Sequence, residues 1–271
     1  MNHGATHDPA LRGHYEPEGL AERLLAALDD PKLEVGPALD QFHVGGARAT
    51  ERLLERLDRL PGAQVLDLGS GLGGPARLLA RVRDWDITGV DLSPAFCRIA
   101  RALSGRSVQA GQTRFVAGNA LQLPFADNVF DLVWSEHVAM NIGDRDALYR
   151  ELARVTRPGG ALAMFDVTLG ETAELLTYPV PWARAPAQSH LVSPDEFRTA
   201  VIGAGWSEGI WSDETGFARD WLARARPPKS AAGPTLRQVM GDDFPAMLGN
   251  LRDNFADGRL GAIQAVFIKP V

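Results

Sequence analysis

The stretch Val65-Leu66-Asp67-Leu68-Gly69-Ser70-Gly71-Leu72-Gly73-Gly74 decides how this chain folds. Short, apolar and strand-like at first, it runs into glycines, and residues 75–83 follow with helical spacing. A strand that turns through glycines into a helix lets backbone come very close to a ligand, because no Cβ stands in the way. The same rhythm continues outward from this point. Residues 86–90 read as a second strand ending at Asp91, with a helix from Pro94 to about Leu103. Residues 113–116, 130–134 and 161–165 read as strands three to five. A helix over residues 145–155 precedes the fifth strand, and Pro158-Gly159-Gly160 turns into it. Repeated strand–helix units predict an α/β domain with a parallel sheet covered on both faces.

Toward the N-terminus, residues 18–28 (EGLAERLLAAL) have helical apolar spacing and stop at Asp29-Asp30-Pro31. A turn-rich piece, Asp40-Gln41-Phe42-His43-Val44-Gly45-Gly46, leads into an amphipathic helix over residues 47–60. That helix sets Leu53, Leu54, Leu57 and Leu60 on one face, pairs Glu55 with Arg59 at (i, i+4), and stops at Pro61-Gly62. Toward the C-terminus, residues 166–194 break the rhythm with Pro, Thr, Tyr and Trp, too long for an ordinary connection. Ser193-Pro194-Asp195-Glu196 reads as an N-cap with proline at the first helical position. A strand follows at residues 206–211, then Pro-rich sequence at 226–234, helical material to about Asn254, and an apolar terminal strand at residues 260–268. The expected division is an N-terminal tail and helical cap over residues 1–62, then one domain over residues 63–271 with insertions at about 167–192 and 220–257.

The 271 residues are 45% hydrophobic and 23% charged, an ordinary mixture for a chain that buries a core. Formal net charge is −6, without the basic surplus that binding phosphate backbones requires, so no nucleic-acid partner is expected. No apolar run approaches bilayer length, the first 18 residues lack the apolar core of a signal peptide, and a cytoplasmic protein without a membrane partner is expected. Cys97 is the single cysteine, so no intrachain disulfide can form, and its helical position suits inert packing. His3, His7 and His14 match no common ligand spacing, so no metal site is expected. A homodimer is compatible with the sequence, but no feature demands one.

By itself the glycine stretch is ambiguous. Gly69, Gly71 and Gly74 satisfy the dinucleotide fingerprint, and Asp91 lies 20 positions beyond Gly71, where a ribose-binding acid belongs. Three further features carry a resemblance to another family. Asp67 precedes the glycines, Gly118-Asn119-Ala120-Leu121-Gln122-Leu123-Pro124-Phe125 leads into the fourth strand, and Leu152-Ala153-Arg154-Val155-Thr156-Arg157-Pro158-Gly159-Gly160 precedes the fifth. Together they resemble the class I S-adenosylmethionine-dependent methyltransferases, small-molecule type, similar to the sarcosine/dimethylglycine and ubiquinone/tocopherol methyltransferases. That resemblance implies a Rossmann-like seven-stranded sheet with strand seven antiparallel, helices on both faces, an N-terminal helical cap and lid insertions. It implies S-adenosyl-L-methionine as cofactor and S-adenosyl-L-homocysteine as product. Asp67, Gly69, Ser70, Gly71 and Gly73 would then surround the amino-acid part. Asp91 would accept hydrogen bonds from the ribose hydroxyls, with Leu92 near the adenine. Asn119 would contact the adenine amino group, with Ala120 or Leu121 lining the ring. Many relatives carry Asp where this chain has Asn119. Glu136 is assigned to the same cofactor.

Ligands of open α/β sheets lie beyond the carboxyl ends of the strands. Trp134-Ser135-Glu136-His137-Val138-Ala139-Met140-Asn141 after strand four and Asp166-Val167-Thr168 after strand five are therefore expected to face the pocket. His137 and His43 are the candidate proton acceptors, since imidazole titrates near neutrality. Gln41, Phe42, Asn141, Tyr178 and Trp182 are the candidate contacts to a small-molecule substrate, whereas Trp206 and Trp211 read as core. Methyl transfer by in-line displacement needs alignment of the acceptor, exclusion of water and, for some acceptors, removal of a proton. The alternative reading is an enzyme of the same fold that cyclises or cleaves S-adenosylmethionine itself, without an external acceptor.

Overall fold

The computed structural model describes residues 19–28, 37–58, 60–106, 110–225 and 236–271. The three N-terminal histidines and the Pro-rich stretch at 226–234 lie outside these residues, as does Arg59 of the expected Glu55–Arg59 pair. Seven strands form one sheet: β1 (Gln64–Leu68), β2 (Asp86–Asp91), β3 (Thr113–Ala117), β4 (Phe130–Glu136), β5 (Thr156–Leu169), β6 (Ser207–Asp213) and β7 (Leu260–Ile268). Their spatial order is β3-β2-β1-β4-β5-β7-β6. β1 pairs in parallel with both β2 and β4, so the chain reverses its direction of travel across the sheet beside β1. β7 runs antiparallel between β5 and β6. This is the expected Rossmann-like sheet with an antiparallel seventh strand.

Eight longer helices are described: α1 (Leu20–Leu28), α2 (Ala47–Leu54), α3 (Gly74–Val82), α4 (Pro94–Gly105), α5 (Arg145–Val155), α6 (Pro194–Gly203), α7 (Thr215–Arg224) and α8 (Phe244–Ala256). Alternation along the strands divides the core. Val65, Trp134, Ala163 and Phe165 pack with α2, α3, α7 and α8, while Leu66, Val133, Leu162 and Met164 pack with α5 and α6. A third cluster joins α1 to α4 through Leu20, Leu24, Phe96 and Ile99. Trp206 and Trp211 belong to the α6 side as core, and Cys97 is buried.

Three boundaries differ from expectation. α2 ends at Leu54 rather than near Leu60. Leu57 and Leu60 still reach the same core, but from turns, while Arg56 swings out to Gln264, Ser212 and Glu214 on the distal side of the sheet. β5 is much longer than residues 161–165, because Thr156 already pairs with Phe130 ahead of a register shift. At its other end β5 continues to Leu169, so Asp166 and Thr168 are buried strand residues, not part of a loop. The insertion that follows is docked rather than loose. The Asn254 side chain on α8 bonds both the N–H and the carbonyl of Thr177, and Asn250 donates to the Pro179 carbonyl. At α6 the expected N-cap is a complete capping box, with Ser193 and Glu196 satisfying one another's backbone donors.

Candidate active site

The glycine turn sits between the carboxyl end of β1 and the first turn of α3. Gly71 adopts φ +51°, in the left-handed region, and its N–H donates to Asp91 Oδ2 at 2.9 Å. Ser93 N–H donates to the other oxygen at 2.9 Å, so two backbone donors fix the Asp91 carboxylate at the end of β2. Asp67 is buried beneath the turn. Burial, then the charges of Glu136 and Asp91, hold its carboxyl well above the usual carboxylate range, against the Ala76 N–H and Arg77. Its Oδ2 has no partner, nor does the buried Ser70 hydroxyl on the other side of Gly69. Unpaired buried polar atoms are costly, and two of them flanking one glycine turn mark a place built to meet polar groups of a ligand.

The N-terminal cap closes over this turn. A Cβ at Gly74 would overlap the Asp40 carbonyl, so only glycine lets the cap come so close to α3. Arg77 on α3 pairs with Asp40 at 2.5 Å, and Phe42 stands edge-on to Phe96 of α4 with ring centroids 5.8 Å apart. A Cβ at Gly71 would lie 3.5 Å from the Phe42 ring, which places Phe42 above the cofactor turn. Gln41 is buried with its Oε1 unpartnered.

His43, Glu136 and Thr50 converge from the cap and the end of β4. The His43 Nε2 lies 2.9 Å from the Gly46 carbonyl, 3.2 Å from Thr50 Oγ1 and 3.6 Å from Glu136 Oε1. Thr50 Oγ1 donates to Glu136 Oε2 at 2.9 Å, and Trp134 Nε1 donates to the same oxygen at 3.0 Å. Glu136, expected at the cofactor, is thus held on the cap side by protein donors, although its charge reaches Asp67. His137 stands beside His43, ring centroids 6.0 Å apart, and packs on Phe165 at 4.9 Å. Its backbone has φ +57°, and its N–H donates to the Phe165 carbonyl at 2.8 Å. Non-glycine residues in that conformation concentrate where a side chain must be aimed. Burial, and secondarily His43, push the His137 imidazole well below its ordinary pKa, so it stays neutral.

The remaining candidates fall around this centre. Asn119 Oδ1 accepts the Leu121 N–H at 2.9 Å, bending the segment that carries Ala120 and Leu121 at the carboxyl end of β3. Ala120 and Leu121 are half-buried, as is Leu92 after β2. Asn141 donates through Nδ2 to the Val138 carbonyl at 3.3 Å, bracing the turn after His137. Tyr178 is half-buried at the start of the docked insertion. Trp182 is 3% exposed, and its indole N–H donates to Ser189 at 3.0 Å. Its polar edge is therefore spent inside the insertion, which it holds together.

Thr50, Tyr149 and Arg145 carried no role in the sequence reading, and the contact of Trp134 with Glu136 was not expected. Trp134 and Glu136 are two apart on one strand, so they share a face, and that spacing is the signal that would have paired them. Thr50 lies 86 positions from Glu136 and gave no local signal. On the opposite face of the sheet, Asp166, Tyr149 and Arg145 form a second buried polar group beneath α5 and α6. The Asp166 carboxyl is pushed up to about 7, chiefly by burial, while Arg145 and the N–H groups of Ala139 and Val138 oppose the rise. Neither of its oxygens has a partner in full hydrogen-bond geometry. Burial, then Asp166, raises the Tyr149 hydroxyl as well, and that hydroxyl too is unpartnered. Arg145 lies over the Phe197 ring at 5.8 Å and donates to the His190 carbonyl of the insertion.

A mainly parallel sheet with a glycine turn after its first strand, an acidic end to its second and an N-terminal cap packed over that turn has the class I methyltransferase architecture. Residues 66–164 match the family described as the methyltransferase domain. The chain is 35% identical over 159 residues to the methyltransferase GfsG of Streptomyces halstedii, covering 57% of each, so it spans just over half that relative's length. It is 28% identical over 226 residues to the 27-O-demethylrifamycin SV methyltransferase of Amycolatopsis mediterranei (strain S699), covering 82% of this chain and 83% of the relative. Haemonchus contortus phosphoethanolamine N-methyltransferase 2, solved in complex with S-adenosyl-L-methionine, shares the fold, with a TM-score of 0.73 at 18% identity over 96% of this chain and 60% of that one. Among the described residues no helix is long and apolar enough to cross a membrane.

Proposed function

We propose that this chain transfers a methyl group from S-adenosyl-L-methionine to a small-molecule acceptor and leaves S-adenosyl-L-homocysteine. The observation that carries this reading is the glycine turn with its two orphaned buried groups, Asp67 Oδ2 and Ser70 Oγ, beside an Asp91 carboxylate fixed by backbone donors. These groups fit the cofactor's chemistry. Asp67 and Ser70 suit its ammonium and carboxylate ends, and Asp91 suits a ribose diol, which needs a charged double acceptor. Leu92, Ala120 and Leu121 supply apolar surface for the adenine, and Asn119 sits at its polar edge. When bound, the sulfonium group supplies a methyl carbon open to in-line displacement. The protein's part is to hold the acceptor on that line and keep water out. Phe42 and Gln41 from the cap, Asn141 after β4 and Tyr178 at the edge of the insertion border the acceptor side. His43 stands where a proton would leave, with His137 packed beside it.

Replacing Asp91 with alanine removes two charge-assisted contacts of about 1–2 kcal/mol each and weakens S-adenosylhomocysteine binding about 30- to 1,000-fold. Isothermal titration of both proteins measures this, and an unchanged Kd would sink the assignment. Isotope in the donor methyl separates external transfer from a reaction of the cofactor with itself. Label in a new metabolite supports the first; donor consumed without a labelled acceptor supports the second.

A further inference from the structure

His43 has a fixed orientation and one nitrogen left over. A carbonyl can only accept, so the 2.9 Å contact with the Gly46 carbonyl places the ring proton on Nε2. The wiring beyond it is consistent. The Thr50 hydroxyl gives its own proton to Glu136, which leaves its oxygen free to accept from Nε2, and Trp134 adds a second donor to the same carboxylate. Nδ1 therefore carries the lone pair. It makes no hydrogen bond among the described residues, and His43 is 5% exposed, so this nitrogen is not sealed off as the orphaned Nε2 of His137 is.

We infer that the acceptor is a hydroxyl compound whose proton is taken by Nδ1 of His43, with Thr50 and Glu136 as positioning residues that hold the ring and balance its charge. This rests on the methyl-transfer reading above. A neutral amine attacks with a lone pair it already has, whereas a hydroxyl gains most from losing its proton as the new bond forms. A base backed by a carboxylate at 3.6 Å is what that second case asks for. His137 is the other titratable group facing His43, and it cannot share the task, because it is enclosed, has no acidic partner and is held neutral. In the step, the acceptor oxygen bonds to the methyl carbon as the carbon–sulfur bond breaks. The bond pair goes to sulfur, which becomes a neutral thioether. The hydroxyl proton passes to Nδ1, and the imidazolium, facing Glu136, later releases it to water.

The test reads the ring directly. In protein labelled with nitrogen-15 in the imidazoles, the neutral His43 is expected to show its proton on Nε2. Glu136→Gln is expected to slow the appearance of donor label in product at least about tenfold, while S-adenosylhomocysteine affinity stays within about twofold. With a donor carrying carbon-13 in the methyl group, incubated with a metabolite extract, the product is expected to show a methoxy carbon. A proton on Nδ1, a labelling rate unmoved by Glu136→Gln, or label on nitrogen or carbon would overturn the inference. Should Glu136→Gln fail to fold, the wild-type tautomer decides alone. The imidazole signals need no donor, so a failure of wild-type protein to bind S-adenosylhomocysteine would strike the methyl-transfer reading separately.

Discussion

Two buried polar groups lie on opposite faces of the same sheet, a few residues apart along β4 and β5, and they are built in opposite ways. On the cap face, Glu136 accepts from Thr50 and Trp134 while His43 gives its proton to the Gly46 carbonyl, so that donors and acceptors match. On the α5 face, Asp166, Tyr149 and Thr168 keep unpartnered oxygens in the same depth of protein. A connected network in a low-dielectric interior fixes side-chain geometry, whereas orphaned groups store a penalty that titration or a bound molecule can relieve. The difference teaches where precision was built in. The cap face is ready to aim a nitrogen, and the α5 face carries latent strain under the loop that bears His137.

The largest effect that would sharpen this contrast is the pH dependence of stability. Asp166 titrates near 7 when folded against 3.8 as a free side chain, so the native state binds the extra proton between those values. Its contribution is therefore whole below about pH 4 and is lost as pH rises toward 7, by up to about 4 kcal/mol. His137 acts in the opposite sense. Its depressed pKa makes the native state lose stability as pH falls below 6.5. Asp166→Asn isolates the first contribution, because the difference in unfolding free energy between wild type and variant should slope downward across pH 4–7. A flat difference, measured by denaturant titration at several pH values, would mean that Asp166 is solvated after all. Next in size is Thr50→Val. It deletes a donor to Glu136 and an acceptor for His43 inside the connected network, and should cost about 1–3 kcal/mol. A loss under about 0.5 kcal/mol would show that the cap-face network is not as tightly coupled as its distances suggest.

The sequence disclosed these two regions unequally. β7 was readable to the residue, because a continuous apolar run buried on both sides has one plausible pairing. The glycine turn was readable because turn chemistry is local, whereas Asp91 was placed only by its spacing of 20 positions from Gly71. His43 was legible as a histidine in a turn-rich cap segment, but its partner was not, since Thr50 and Glu136 are brought together only by the docking of α2 onto the end of β4. Glu136 was accordingly assigned to the cofactor. The Ser189 contact of Trp182 was hidden for a related reason. Aromatic residues in an insertion look the same in sequence whether they line a pocket or tie the insertion to itself, and the Ser189 contact left no sequence mark. Asp166 was expected in a loop because a charged residue seldom ends a strand in full burial, and the extra length of β5 carried no sequence mark.

The smallest predicted effect bears most directly on the comparison, because its sign differs between the two faces. Tyr149→Phe removes a hydroxyl that has no partner in full hydrogen-bond geometry, though Arg145 acts on it, and keeps the ring that stands 5.9 Å from Phe197. Deleting a satisfied buried hydroxyl destabilises, since its partner is left behind. Deleting an orphaned one removes a desolvation cost and strands nothing. Tyr149→Phe should therefore be neutral or stabilising by up to about 1 kcal/mol, where Thr50→Val destabilises. The change should also ease the Asp166 carboxyl's surroundings little, because burial, not the tyrosine, is the main cause of its raised pKa. Paired thermal melts of the two variants at one pH measure the contrast. If both lose stability by similar amounts, Tyr149 has a partner in solution, such as a buried water between it and Asp166, and the α5 face is as well connected as the Glu136–Thr50–His43 network.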